Sequence, residues 1–492
     1  MPLGKPQSEA AGVRQGMSTA VMRICVLAAA VLITAPPALA QGVAASTAAK
    51  SSAAQAAASE AAVWTDEQKA LIAAEVRLEF LHAWRGYRQY AWGHDELLPL
   101  SKGFKDWYET SLYMTPVDSL DTLILMGLSA EANETRQLIV KNLSFDKDIY
   151  VKNFEITIRM MGGLLSSYQL TGDRRLLALA EDLGKRLLPA FRSPTGMPYV
   201  YVNLKTGKVR GAETNPAEIG TLLLEFGTLS KLTGKPIYYD KAKRALVELY
   251  NRRSRLGLPG STINVETGKW TNTDTHISGG IDSYHEYLLK AWILFGDQDC
   301  ERMWKQSIAS VNQYVADDST NGLWYGHVDM FNGARTASEF GALDAFFPAV
   351  LALSGDLDRA QRLLDSCYKM WNVDGVEPES FDYSTMKGKE LNYELRPEII
   401  ESTYYVYFFT GDPKYLRMGE TYLHSLMEYC RTDAAYAALS NVETRQKKDA
   451  MESFFFAETL KYLYLLYAPK TTVDLRKVVF NTEAHPLQRT WK

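Results

Sequence analysis

One turn recurs along this chain at a nearly constant interval. It appears as Gln169-Leu-Thr-Gly-Asp173, Lys231-Leu-Thr-Gly-Lys235, Ile293-Leu-Phe-Gly-Asp297, Ala352-Leu-Ser-Gly-Asp356 and Phe408-Phe-Thr-Gly-Asp412, each between two apolar stretches of helical period. The glycines stand at 172, 234, 296, 355 and 411, so the steps are 62, 62, 59 and 56 residues. A glycine just past a helix end supplies the left-handed cap, and the polar residue after it can start the next helix. A period of this length therefore predicts an array of helical hairpins. Met126-Gly127-Leu128 extends the series at one end, and Leu465-Leu-Tyr-Ala468-Pro469 closes it at the other, giving seven hairpins. A chain of 492 residues would ordinarily suggest several domains. Seven pairs with long returns between them instead point to one closed (α/α)7 barrel. A linear solenoid would carry polar capping repeats at its ends, and none is found.

The returns carry a repeat of their own. Asn203-Leu-Lys-Thr-Gly-Lys208 and Asn264-Val-Glu-Thr-Gly-Lys269, flanked by Tyr199, Val200, Tyr201 and by Ile263, Trp270, read as short β-hairpins. The expected class is all-α, with small β-hairpins on one face of the barrel. Asp317-Asp318 reads as part of a solvated polar loop.

The N-terminus lies outside that fold. Met22-Arg23, the apolar run Ile24 to Ala35 and the Ala38-Leu-Ala40 site form a secretory signal cleaved after Ala40. The run is too short to span a bilayer. Residues 1–40 are thus expected to be signal and upstream extension, 41–63 a flexible Ala/Ser-rich leader, and 64–492 a single catalytic domain. The mature protein is expected to be exported, periplasmic or secreted, monomeric and free of the membrane. Its remaining cysteines, Cys300, Cys367 and Cys430, are too few for a disulfide framework.

Charge excludes one large class of function. With 54 Lys+Arg against 58 Asp+Glu the chain is slightly acidic, whereas a nucleic-acid binder needs a basic face. The seven histidines show no close metal-ligand spacing, and no nucleophile elbow or phosphate loop is present.

An acidic residue recurs with the hairpins. Asp118, Glu155, Glu218, Asp282, Asp344, Glu398 with Glu401, and Glu452 with Glu458 fall near the start of the helix that precedes each turn. The dipole favours a carboxylate at any helix N-terminus, so structural salt bridges would account for one or two of them. Glu155 and Glu398, however, stand in otherwise apolar stretches, Phe154-Glu-Ile-Thr-Ile-Arg159 and Leu395-Arg-Pro-Glu-Ile-Ile-Glu401. On the inner helices of a barrel such carboxylates would converge at one mouth. Burying them demands partners, for which Arg159, Arg396 and an oxygen-bound divalent cation such as calcium are candidates. Crowding would also split their protonation into one acid and one base, as glycoside hydrolysis requires.

Several motifs, in order, resemble glycoside hydrolase family 47, the class I α-mannosidases. They are Phe80-Leu-His-Ala-Trp-Arg-Gly-Tyr87, Ala91-Trp-Gly-His-Asp-Glu-Leu97, Asp118-Ser-Leu-Asp-Thr122, Phe154-Glu-Ile-Thr-Ile-Arg159 and Asp282-Ser-Tyr-His-Glu-Tyr-Leu-Leu-Lys290. Leu395-Arg-Pro-Glu398, Met451-Glu-Ser-Phe-Phe455 and Phe480-Asn-Thr-Glu-Ala-His-Pro486 complete the set. The resemblance runs from about Leu78 to Leu487. It implies a calcium-dependent, inverting exo-α-1,2-mannosidase acting on mannose-containing oligosaccharides. By motif, Glu155 would be the general acid, directly or through a water, and Glu398 the general base. Asp282 is the third essential carboxylate and a competing base. Inversion requires the acid and base to stand about 6.5–9.5 Å apart, leaving room for a water. Thr482 would bind Ca2+, and Glu218, Glu286, Glu379, Glu401, Glu458 and Glu483 would hold its waters and the sugar. Asp118 would join the substrate site, Phe454 would stack on the mannose, and Arg159 and Arg396 would balance the charge.

The pattern departs from the family at one point. Many relatives pair a cysteine matching Cys367 with another where Ala345 stands in Ala345-Phe-Phe-Pro348. That segment, with Leu395 to Tyr404, is more similar to the branch concerned with degradation of misfolded glycoproteins. The resemblance therefore also admits a mannose-glycan recognition protein with weak or no turnover.

Overall fold

The computed structural model describes residues 64–319 and 321–491. The expected signal, its cleavage point and the leader 41–63 lie outside the described residues.

Each of the recurrent glycines ends a helix in the left-handed conformation, with φ between 69° and 94° at Gly172, Gly234, Gly296, Gly355 and Gly411, and Gly127 joins them at 69°. A Cβ at any of these six would meet nothing within 4 Å. The demand is for positive φ, which costs other L-residues energy, and not for space. The residue after the glycine caps the next helix where it is Asp. Asp173, Asp297 and Asp356 accept from the amides of Arg175, Cys300 and Arg359.

Seven inner helices, Met114–Leu125, Gly162–Thr171, Leu223–Thr233, Asp282–Phe295, Phe347–Ser354, Glu398–Thr410 and Leu460–Tyr467, stand side by side in a ring. The ring closes where Met114–Leu125 packs on the Phe455–Thr459 turn that opens the last of them. Inner helices are buried all round, as Leu223 to Ser230 illustrates. Outer helices are amphipathic: Arg174–Leu187 buries Leu176, Ala180, Leu183 and Leu187 along one stripe. The architecture is the expected (α/α)7 barrel.

The seventh pair is built differently from the others. No turn at Ala468-Pro469 leads into an outer helix. The place is taken by the chain's first described helix, Asp66–Tyr90, which packs on Leu460–Tyr467. Phe80, Trp84 and Tyr87 hold it there around Phe456.

The returns form small antiparallel sheets, as expected for Tyr201–Asn203 with Val209–Arg210 and for Thr262–Asn264 with Lys269–Asn272. Each gains a third strand, Tyr150–Lys152 and Glu213–Thr214 respectively. Asp317 and Asp318 lie in a strand, Ala316–Ser319, and not in a loop; Asp317 accepts from the Tyr383 hydroxyl and Asp318 pairs with Arg362. Cys300, Cys367 and Cys430 are buried free thiols. Among the described residues no helix is long and apolar enough to cross a membrane.

Because successive inner helices are joined through a turn and an outer helix running back, the inner helices are parallel. Their N-termini share one mouth with the returns, and the glycine turns occupy the other. From the turn mouth a C-terminal hairpin, Val478–Phe480 with Pro486–Gln488, enters the ring. Gln488 is held at its base by Gln169, close to the Gly172 turn. The hairpin's tip, Asn481 to His485, reaches the axis and is buried against several inner helices.

Candidate active site

Asn481 shapes the tip of that hairpin. Its amide nitrogen donates to Ile158 O at 2.9 Å and to Glu225 Oε1 at 2.8 Å, and its Oδ1 accepts from the amides of Glu483 and His485. Ala484 takes a left-handed φ of 54° to close the loop. The helix opposite gives way: a Cβ at Gly162 would stand 2.6 Å from Asn481 and 2.8 Å from His485. Gly162-Gly163 is therefore a space requirement, unlike the turn glycines.

Below the tip lies a fully buried charge cluster. His485 faces Asp121 through Nδ1 at 2.7 Å and Asp118 through Nε2 at 3.1 Å, while Lys461 Nζ pairs with Asp121 at 2.8 Å and donates to Ala484 O. Burial alone would raise the carboxyls, but Lys461 and His485 outweigh it and hold Asp121 down to about 2. Burial likewise opposes charging His485, and its two carboxylates reverse the balance, raising it. Removing one member of such a cluster strands a buried charge. Lys461→Met is expected to destabilise the fold by about 3–5 kcal/mol, measured by urea denaturation; a change below about 1 kcal/mol would mean the cluster does not hold the tip.

Above the tip, at the inner-helix N-termini, is a cavity of about 310 Å³. Its wall includes Glu155, Glu218, Asp282, Glu398, Glu401, Glu458 and Glu483, with Thr482 and Phe454. Lys152, Arg159 and Arg396 are the cations in the lining. Seven carboxylates thus face three positive charges. Two inner helices open with a π-turn beside the cavity, Ile156–Met161 after Glu155 and Phe455–Thr459 containing Glu458, a distortion frequent at functional sites.

The pairings divide the carboxylates into two groups. Glu155 lies 3.2 Å from Arg159 and 3.6 Å from Lys152, and Lys152 also reaches Glu218 at 2.9 Å. Arg159 further binds Glu483 and stands 3.5 Å from Asp118. On the other side Glu398 is half-buried, and its buried Oε2 has no partner. Burial, reinforced by Glu379 and Asp282, pushes Glu398 up to about 7, and burial pushes Asp282 up to about 6. Glu401 rises to about 8 through burial and neighbouring Glu286. Glu458 and Glu483 are also driven well above the usual carboxylate range, by burial and by the acids beside them. Phe454 lies between Arg159 and Arg396, whose guanidinium carbons stand 5.7 and 5.5 Å from its ring centre.

Three of the expected substrate residues do not line the cavity. Asp118 is behind Arg159, where Ser453 and His485 bind it. Glu286 pairs with buried Lys290, and Glu379 makes a two-pronged pair with Arg396 at 2.9 and 3.0 Å. Each faces a cation behind the lining. Asp344 belongs to the acid series by position only. It accepts from the Gly341 amide, and Leu343 and Phe346 of the same 3₁₀ turn face the cavity.

Sequence reasoning missed Lys152, Glu225 and Glu377. Glu225 accepts from the Tyr287 hydroxyl and Asn481 beneath Thr482, and Glu377 is a fully buried carboxyl with neither oxygen bonded. Lys152 had a detectable signal, one turn before Glu155 at the start of the same apolar stretch.

The donor set around Thr482 is made of oxygens, with more carboxylates than cations and an unpartnered buried oxygen on Glu398. It therefore fits a hard divalent cation such as calcium.

Comparison with known proteins agrees with this geometry. The sequence profile of glycosyl hydrolase family 47 matches residues 79–489. The chain is 40% identical over 451 residues to "Alpha-mannosidase I MNS5" of Arabidopsis thaliana, covering 86% of this chain and 78% of that one. It is 37% identical over 449 residues to "ER degradation-enhancing alpha-mannosidase-like protein 2" of Mus musculus, covering 84% and 77%. Among solved structures, the α-1,2-mannosidase from Trichoderma reesei superposes with a TM-score of 0.79 at 29% identity, covering 85% of this chain and 99% of that one. Barrel, acidic cavity and matches together define a glycoside hydrolase. The chain belongs to glycosyl hydrolase family 47.

Proposed function

We propose that the protein is a calcium-dependent, inverting exo-α-1,2-mannosidase that removes terminal mannose from oligosaccharides. The observation that carries this reading is the cavity itself: seven carboxylates and three cations, with Phe454 among them, at one mouth of the barrel. A blind cavity of about 310 Å³ suits one terminal sugar. The names of the relatives support mannose as that sugar and the 1,2 linkage as its attachment.

Glu155 is assigned as general acid. Its carboxyl, 3.2 Å from Arg159 and 3.6 Å from Lys152, gives its proton to the leaving oxygen directly or through a water that this group orients. Glu398 is assigned as general base, because a carboxyl raised to about 7 takes a proton from water near neutral pH. Asp282, raised to about 6, competes for that role. Phe454 offers its face to the sugar. Thr482 would hold calcium, with Glu401, Glu458 and Glu483 around it. When bound, the ion supplies positive charge that polarises sugar hydroxyls and favours ring distortion.

The test is hydrolysis of α-1,2-mannobiose with calcium, followed by NMR. β-Mannose is expected first, turning to the equilibrium mixture as it mutarotates. Release of α-mannose first would overturn inversion. The likeness to degradation-enhancing relatives supports a second reading, a glycan-recognition protein with little turnover. Binding of mannobiose without any release would favour it. The apolar run and Ala38-Leu-Ala40 site support export to the periplasm or beyond.

A further inference from the structure

A second cluster of ligating side chains lies outside the cavity. Asp274–Thr275 pairs antiparallel with His327–Asp329, and His276 follows directly on the first strand. This pairing brings together two histidines that sequence spacing leaves scattered. One ligating atom from each of Asp274, His276 and His327 lies within 4.8 Å of the other two. We propose that these three residues form a binding site for one divalent transition metal of the zinc class, separate from the calcium position.

Donor chemistry selects the ion. Two imidazoles and one carboxylate suit zinc, cobalt or nickel, whereas an all-oxygen set suits calcium. Metal–ligand bonds of about 2.0–2.2 Å reach about 4.4 Å across an ion, so small side-chain shifts close the site. Three protein ligands leave a fourth position for water.

The surroundings support ligation. The Thr336 hydroxyl donates to Asp274 Oδ1 at 2.8 Å, orienting the carboxylate from the second layer. The His276 and His327 rings stack with centroids 4.4 Å apart. His327 Nδ1 faces Asp274 Oδ2 at 2.6 Å, so two of the three ligands already converge. His327 and Asp274 are partly exposed, with side chains at 19% and 29%, so the ion has a route in.

The position gives the site a structural task. Metal ligation would replace the Ser278 amide's contact with His276 Nδ1, while the Ser278 carbonyl accepts from the amides of Ile281 and Asp282. Gly279 and Gly280, between them, line the catalytic cavity. A metal joining His327 to His276 ties the return sheet to the segment that ends at Asp282.

The test uses untagged full-length protein, chelated and then returned to saturating calcium. Zn2+ is titrated by calorimetry, and Co2+ by its visible absorption. One equivalent of Zn2+ is expected, with a Co2+ spectrum of imidazole ligation and a Tm increase of about 3 °C. His276→Gln and His327→Gln should each weaken binding at least about 10-fold, and Thr336→Val about 10-fold. Thr482→Val should leave the zinc isotherm unchanged. Absence of the Co2+ bands in the unaltered protein would overturn the proposal even if the histidine variants fail to fold. So would a zinc isotherm that neither histidine substitution changes.

Discussion

Glu398→Gln is expected to lower kcat by about 10²–10⁴-fold while leaving mannobiose binding within a few-fold of the parent. Glutamine keeps the shape and the carbonyl oxygen but cannot accept the proton of the attacking water. The loss should therefore fall on kcat and not on KM. Asp282→Asn provides the comparison, because both carboxyls line the cavity and both are raised, to about 7 and about 6. Their pH dependences separate them. A base must be ionised, so kcat/KM should fall as pH drops through the base's own value. Saturating calcium should move that limb to lower pH, since added positive charge favours the carboxylate. If Glu398 is the base, Glu398→Gln removes the acidic limb from the residual activity and Asp282→Asn retains it. The reverse pattern would transfer the role to Asp282. Equal retention of the limb in both variants would remove it from each.

The two candidate bases also mark how far local sequence reaches. Glycine after an apolar helical stretch is a local signal, because positive φ is required at that one residue, and every such turn of the series is found where the spacing puts it. Carboxylates at helix starts are legible for the same reason: the inner helices are parallel, so one position per repeat maps to one mouth. Where the helical phase changes, the rule fails. Asp344 sits in a 3₁₀ turn, whose three residues per turn rotate it away from the face that Leu343 and Phe346 present to the cavity.

The closed ring is expected, but which helix completes its seventh pair is not legible, because no local signal encodes it. Asp66–Tyr90 and Leu460–Tyr467 meet from opposite ends of the chain, held by aromatic packing and not by a turn. Likewise, Phe480 to Pro486 reads as a motif without revealing that it enters the barrel along the axis. Its side chains make sense only against Ile158, Glu225, Asp118, Asp121 and Lys461, which come from four inner-helix segments far apart in the chain. Asp118, Glu286 and Glu379 stand behind the lining: Asp118 and Glu379 face arginines of other segments, and Glu286 faces Lys290 one turn along its own helix.

Thr482 stands on that axial tip, and removing calcium is expected to have the second large effect. Chelation should abolish turnover, and saturating calcium should raise Tm by about 3–6 °C at neutral pH. The pH dependence of that increase follows from the acids around the tip. Glu398 and Glu401 are raised to about 7 and about 8, so the fold holds their protonated forms more firmly than the unfolded chain does. Their stabilising contribution is complete below the ordinary carboxylate range and is lost as pH rises through those raised values. Glu458 and Glu483, raised for the same cause, add to the effect. Without calcium, Tm should therefore fall between pH 5 and pH 8. A bound cation reverses the preference, because it favours the ionised carboxylates that burial disfavours. The calcium-induced increase in Tm should grow steadily across the same interval. Thr482→Val should weaken calcium binding by about 10–100-fold and suppress the increase at a fixed subsaturating concentration. A calcium effect that is flat with pH, or that survives Thr482→Val intact, would place the ion away from the tip of the C-terminal hairpin.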